Sequence, residues 1–465
     1  MVLRLLCGCL LALAFAAPAA AGSGLLVGVD DDGLKWEAEP GATLAVIRDV
    51  GVKAVRITLG WRAGETGVSE WNARVLDRVV TNSFGVRVVV ALYGRPDEAP
   101  VDGPGRTAYC SSLADLVSRY PSVNDLVIWN EPNVSRFWRP QFDTEGRSAA
   151  PASYGSLLAR CWDVLHAARP SVNVISASSP RGNDNPIAVS NVSHSPLNWY
   201  RQLADAYRAS KRARPIFDTI GHNPYQNTNS ERPWTVHKGR SLGEGDYGRL
   251  LQTLTDGFAD TAQPLPGQGR VSIWYMEQGF QTAVPDDKRA FYTGEETDRL
   301  ALAPVAGRST ASTEPAPDQA TQLADAVRLA SCQPAVGAIF NFELADEPDL
   351  SGWQSGVLWA DRTPKPSYAA FKDAIVDSAA SKVDCSRYPE AARAMPGPPV
   401  IRFTARAQAR QEVEALTGAA RVGAWSASPP RSCHSTATTR RCARPGPRLR
   451  SSAPTSSSAG TTSTR

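Results

Sequence analysis

Between Leu25 and about Val376, short β-branched runs alternate eight times with longer amphipathic stretches, and this repeat constrains the fold more than any other feature of the chain. The runs that read as strands are Leu25–Asp30, Ala54–Leu59, Val86–Tyr93, Leu126–Asn130, Asn173–Ala177, Asp218–His222, Val271–Glu277 and Gly337–Phe342. The stretches between and after them read as helices: Ala42–Val50, Asn72–Ser83, Ala108–Arg119, Tyr154–Ala168, Leu197–Ser210, Tyr247–Ala259, Pro317–Ala330 and Ser367–Asp377. Their apolar residues recur at helical spacing, as in Leu157, Leu158, Cys161, Trp162 and Leu165. Gly51, Gly85, Pro121 and Pro170 close several of them. Strands alternating with helices predict a parallel sheet with crossover helices. Eight such units predict an α/β fold, specifically a (β/α)8 barrel with enlarged loops. The alternative, an open doubly wound sheet, would carry a Gly-rich phosphate loop after its first strand. Here Asp30-Asp31-Asp32-Gly33 follows instead; it lacks EF-hand spacing and reads as a polar strand-end loop.

The 465 residues carry 50 Lys and Arg against 46 Asp and Glu, a formal charge of +4. That excess is local. From Ser386 onward there are 13 Arg, no Lys and three acidic residues, whereas the first 385 residues hold 37 basic against 43 acidic. The main body is acidic, so neither nucleic acid nor another polyanion is its expected partner.

Residues 1–21 have the pattern of a signal peptide: Arg4, a 13-residue apolar stretch from Leu5 to Ala17, and Ala19-Ala20-Ala21 before Gly22. The stretch is shorter than the roughly 20 residues a membrane span needs, so export to the extracellular space is expected rather than membrane insertion. A barrel domain is expected over 22–385, with Phe280–Pro315 as an insertion over the barrel mouth. A linker with a short β segment is expected over 386–425. After Trp425 no aromatic residue occurs and 17 of the last 40 residues are Ser or Thr, so 426–465 is expected to be a disordered tail. A shifted reading frame in GC-rich DNA would also produce that mixture; one uninterrupted frame on resequencing would exclude it.

Six cysteines follow the signal segment, and six allow 15 pairings. Cys110–Cys161 and Cys332–Cys385 are the preferred disulfides, since each joins neighbouring elements of the expected fold; unpaired buried thiols are the alternative. No Cys-x-x-Cys remains there, and no HExxH pattern occurs, so no metal and no cofactor is expected.

In such a barrel, reactive side chains belong at the C-terminal ends of the strands. Two carboxylates stand there in apolar settings. Glu131 lies in Val127-Ile128-Trp129-Asn130-Glu131-Pro132-Asn133, and Glu277 in Ile273-Trp274-Tyr275-Met276-Glu277-Gln278-Gly279-Phe280. A paired carboxylic acid and carboxylate suits hydrolysis of a glycosidic bond, in which one protonates the leaving oxygen while the other attacks or activates water. An apolar wall keeps the acid partner protonated by desolvation.

These motifs resemble those of the clan A glycoside hydrolases, especially family 5 and family 39-like proteins, over roughly Leu25 to Val376. Asn130-Glu131-Pro132 matches the family's strand-four motif, and Met276-Glu277-Gln278-Gly279-Phe280 matches its strand-seven motif at the Glu and the Gly. The resemblance implies that Glu131 is the general acid/base and Glu277 the nucleophile of a retaining hydrolase, with Asn130 bonding the sugar 2-hydroxyl. It likewise implies roles for Arg56, orienting the nucleophile, and for the His222/Tyr225 pair. Tyr93 stands where many family-5 members have His, and Trp353, Trp359 or Phe342 must replace the strand-eight Trp. Trp61, Tyr93, Trp138, Tyr225 and Trp353 are further candidates for stacking on sugar, each with packing as the alternative. The expected partner is a carbohydrate and the expected state a monomer; a carbohydrate-binding barrel that has lost catalysis is the alternative.

Overall fold

The computed structural model describes residues 24–267, 271–296, 302 and 317–388. The expectations for the signal segment, most of the linker and the tail fall outside these residues. Eight parallel strands form a closed barrel in chain order: β1 (Leu26–Asp30), β2 (Ala54–Gly60), β3 (Arg87–Tyr93), β4 (Asp125–Ile128), β5 (Asn173–Ile175), β6 (Thr219–His222), β7 (Ser272–Gln278) and β8 (Val336–Phe342). Closure runs through β1 and β8, from Leu26 opposite Ala338 to Asp30 opposite Phe342. The helices are α1 (Gly41–Val50), α2 (Glu70–Asn82), α3 (Gly103–Arg119), α4 (Ala150–Ala168), α5 (Pro196–Ser210), α6 (Tyr247–Phe258), α7 (Gln319–Ser331) and α8 (Pro366–Ala379). Every predicted strand and helix is present. α3 and α4 start earlier than their apolar periodicity suggests, because Asp102 caps α3 through the Gly105 amide and α4 opens with a proline in its first turn.

Alternation along the strands sorts the core into two regions. Val55, Ile57, Val88, Val90, Leu126 and Ile128 point outward and pack against the helices. Ala54, Val89, Ala91, Val127, Ile175, Trp274, Met276, Ala338 and Phe340 fill the barrel itself. Gly28 is required there, since a Cβ on it would sit 2.3 Å from the Phe340 ring.

Both preferred disulfides are present. Cys110–Cys161 ties α3 to α4, and Cys332–Cys385 ties the end of α7 to the chain after α8. Among the described residues no helix is long and apolar enough to cross a membrane, and no cluster of three His, Cys, Asp or Glu side chains is arranged to hold a metal. The described part of the expected insertion folds against the loop after β8: Lys288 pairs with Asp361 at 2.8 Å, and the Tyr292 hydroxyl donates to Asp346 at 2.7 Å.

Candidate active site

Pleat alone sends Arg56 inward, two residues after the barrel-filling Ala54. Its neighbour in the β1–β2 register is Asp30, whose carboxylate it meets directly. The same guanidinium nitrogen donates to Glu277 Oε1 at 2.9 Å, and the second donates to Asn130 Oδ1 at 3.1 Å. One planar fork therefore links β1, β2, β7 and the end of β4. Burial works against the charge of Arg56, but the carboxylates of Asp30 and Glu277 outweigh it and raise its pKa.

Glu277 reaches this fork only because β7 is irregular. With Trp274 and Met276 inside the barrel, simple alternation would turn Glu277 outward. Against β8, however, Tyr275 pairs with Ile339 and Gln278 with Asn341, three residues on one strand against two on the other. The extra residue is a bulge. It re-aims Glu277 into the mouth and leaves Gln278 outside, donating to Glu244 at 2.8 Å. Glu277 Oε2 also accepts from the Tyr225 hydroxyl at 3.3 Å.

Glu131 is positioned by two left-handed residues. β4 ends at Ile128 rather than Asn130 because Trp129 has φ 67°, and Glu131 itself has φ 35°. Non-glycine residues adopt this region only when their surroundings hold them there. Trp129 is held by its indole N–H donating to Phe137 O at 2.6 Å, by its backbone N–H donating to the Tyr109 hydroxyl at 2.9 Å, and by edge contact with Trp138. The turn swings Asn130 to Arg56 and brings Glu131 Oε1 to Asn223 Nδ2 at 2.8 Å. Burial first, and the nearby Glu277 charge second, push the Glu131 carboxyl up to about 7, against the Asn223 hydrogen bond and the charges of Arg181 and Arg56.

Four other residues singled out in the sequence divide between site and scaffold. Tyr225 contacts Glu277, as above. Trp353, half-buried in the loop after β8, lies 5.4 Å from the Tyr225 ring and 5.2 Å from Phe342 between centroids. Trp359 lies instead in a small cluster with Tyr292 and Leu350. Tyr93 is half-buried at the end of β3, edge-on to Phe137 and Trp129, and burial pushes its phenol up to about 12.

Three expectations are corrected. Trp61 is buried, edge-on to Tyr109 and Trp129, with its indole N–H donating to Glu65 O at 3.0 Å. Trp138 is fully buried between Trp129 and Tyr154, with no face free for a sugar; its role is to hold the Trp129 turn. His222 is also fully buried. Burial lowers its pKa to about 4, so it is neutral, with Nε2–H donating to Leu242 O at 2.8 Å and Nδ1 accepting from the Ser178 hydroxyl at 2.8 Å. Both nitrogens are committed to protein. His222 anchors the end of β6, from which Asn223 and Tyr225 reach the two carboxylates.

The sequence reading missed three site residues. Asp30 belongs to a segment that reads as a polar loop, yet it ends β1 opposite Arg56 in the β1–β2 register. Asn223 stood unremarked between His222 and Pro224. Glu343, directly after β8, is buried with Oε2 lacking a protein hydrogen-bond partner, and burial, with Asp31 nearby, raises its carboxyl well above the usual range.

The fold and site together define a (β/α)8 barrel carrying a carboxyl pair at the C-terminal ends of β4 and β7. No protein-family model matches the chain, and no curated protein matches it. Among solved structures it is similar to a family 39 glycoside hydrolase from the gut symbiont Bacteroides cellulosilyticus WH2, at 18% identity and a TM-score of 0.51, covering 76% of this chain and 64% of that one. It is also similar to the Ignisphaera aggregans GH53 catalytic domain, at 14% identity and a TM-score of 0.50, covering 76% of this chain and 97% of that one. The likeness at these identities is one of fold. The chain spans less than two thirds of the length of the Bacteroides protein.

Proposed function

We propose that this chain is an exported, retaining β-glycoside hydrolase that uses Glu131 as general acid/base and Glu277 as nucleophile. The observation that carries the reading is the inequality of the two carboxyls: Glu131 is pushed up to about 7 by burial, while Glu277 is gripped by the Arg56 guanidinium and the Tyr225 hydroxyl. An acid that keeps its proton beside a carboxylate held by donors is the arrangement glycosidic cleavage requires.

In the first step Glu131 gives its proton to the glycosidic oxygen as that bond breaks, and Glu277 bonds to the anomeric carbon. In the second, Glu131 takes a proton from water, which displaces Glu277 and releases the sugar. Arg56 fixes the attacking carboxylate and, through Asn130 Oδ1, the orientation of the Asn130 amide. That leaves the amide N–H groups to donate to the sugar 2-hydroxyl as charge develops. Trp353 with Tyr225 offers an aromatic floor for the sugar. Export is supported by the residue 1–21 pattern and by the two disulfides, which persist in oxidising compartments.

The experiment is a panel of aryl β-glycosides with the wild type and Glu277→Gln, together with a 2-deoxy-2-fluoro glycoside as a trap. Turnover lost in Glu277→Gln and a fluorosugar adduct on the Glu277 peptide are the expected results. Full hydrolysis by Glu277→Gln refutes the assignment, and a wild type that binds sugar without hydrolysis or trapping marks an inactive binding barrel.

A further inference from the structure

Two tryptophans outside the site lie side by side on the same face of the barrel. Trp36 is 71% exposed and Trp71 42% exposed, with ring centroids 5.4 Å apart and planes inclined at 39°. Trp36 ends the 3-10 turn Asp32–Lys35 that follows β1, and Trp71 is the second residue of α2, which follows β2. The chain leaves β1 and β2 at their C-terminal ends, so both rings stand on the catalytic face. Asn72 Nδ2 donates to Gly60 O at 2.7 Å and secures the start of α2 to the end of β2.

A chain of polar contacts links the upper end of β2 with this pair. Thr58 lies two residues beyond Arg56 on the same inward-facing row of β2, about 7 Å further up the strand. Its backbone N–H donates to Asp32 Oδ1 at 2.8 Å, and Lys35 Nζ donates to Thr58 Oγ1 at 2.9 Å. The same ammonium stands 5.8 Å from the Trp36 ring centre. Thr58, Asp32 and Lys35 thus place polar groups between the Arg56 row of β2 and the two indoles.

Single exposed hydrophobic side chains are ordinary, but two adjacent indoles left in water on a functional face form a patch that calls for a ligand. Its border is polar and already neutralised: Lys35 pairs with Asp32 at 2.7 Å and Arg74 with Glu70 at 3.5 Å. Such a border supplies hydrogen bonds without net charge, while the indoles supply flat apolar faces. A pyranose ring offers the complement, a C–H face for the indole and equatorial hydroxyls for the rim. We propose that Trp36 and Trp71 form a remote subsite for a neutral glycan chain whose scissile bond lies at Glu131 and Glu277. The inference rests on the glycosidase reading and adds to it that the substrate is a polymer several sugars long, extending over the β1–β2 side of the mouth.

The test uses the full chain carrying Glu131→Gln, so that binding is read without turnover. Its mobility is measured in native gels containing barley β-glucan, arabinoxylan, galactan or galactomannan. At least one polysaccharide should retard it, and adding Trp36→Ala or Trp71→Ala should weaken that retention about tenfold, with Trp36→Tyr restoring part of it. In the active protein the same alanine substitutions should lower kcat/KM on the retained polysaccharide about tenfold more than on an aryl glycoside. No retention by any of the four, equal retention with and without the tryptophans, or an equal loss on polymer and aryl glycoside overturns the subsite. So does a dimer that dissociates when Trp36 is replaced, which would make the patch a contact between copies. Failure of the glycosidase reading would look different: no turnover and no fluorosugar adduct in protein with both tryptophans intact.

Discussion

Replacing Asn223 with Ala should move the alkaline limb of the activity profile upward. Asn223 Nδ2 donates to Glu131 Oε1 at 2.8 Å, and this bond favours the charged carboxylate. Glu131 stands at about 7 because burial and the Glu277 charge outweigh that bond together with Arg181 and Arg56. A hydrogen bond to a charged group contributes about 1.5–3 kcal/mol, and one pKa unit corresponds to about 1.4 kcal/mol. Glu131 keeps partial contact with water, so the lower figure applies and a displacement of about one unit follows. In the proposed mechanism the proton donor Glu131 must be protonated before substrate binds, so kcat/KM on an aryl glycoside with a poor leaving group should fall as pH rises past its pKa. The limb should lie near pH 7 in the wild type and near pH 8 in Asn223→Ala. In Glu131→Gln it should vanish with a loss of about 10²–10⁴ in rate. A limb that stays in place or moves down in Asn223→Ala would refute the account of what sets the Glu131 proton, and a limb that survives in Glu131→Gln would refute its role as the acid.

Two further outcomes follow from the same groups. Glu131 has a folded-state pKa above its unfolded value, so its contribution to stability is fully present below about pH 4.5 and is lost as pH rises through about 7. Glu131→Gln should therefore melt with the wild type at pH 4 and exceed it by about 3 kcal/mol at pH 8 in denaturant titrations; the reverse order would contradict the burial argument. Arg56→Lys should lower kcat/KM about a hundredfold, because a single ammonium cannot reproduce the planar fork that holds Glu277 and Asn130 together. A loss under threefold would show that the fork does not position the nucleophile.

Hydropathy periodicity carried the fold. Eight strands and eight helices were legible because parallel strands buried on both faces read as continuous β-branched runs, and their covering helices as 3.6-residue stripes. Boundaries shifted where local chemistry rather than periodicity set them, at the Asp102 cap and at the left-handed Trp129. The residue types of the site were legible too. Glu131, Glu277, Asn130, Arg56 and Tyr225 come together at the mouth, and both disulfides join the expected pairs.

Direction was not legible. Alternation along β7 assigns Glu277 to the outer face, and only the extra residue against β8 turns it inward; a bulge depends on how two strands pair, which one strand's sequence does not encode. Trp138 and His222 look like site residues in one dimension, yet their surroundings consume them, one in aromatic packing and the other in two hydrogen bonds to protein. Asp30 and Asn223 join the carboxyl cluster only through partners far away in the chain, Arg56 and Glu131. The sequence by itself determined a barrel, an acidic body and two candidate carboxyls. The tertiary structure decided which way those carboxyls face, what sets the proton on Glu131, and that two indoles share an open surface beside them, because each depends on groups brought together across strands and loops.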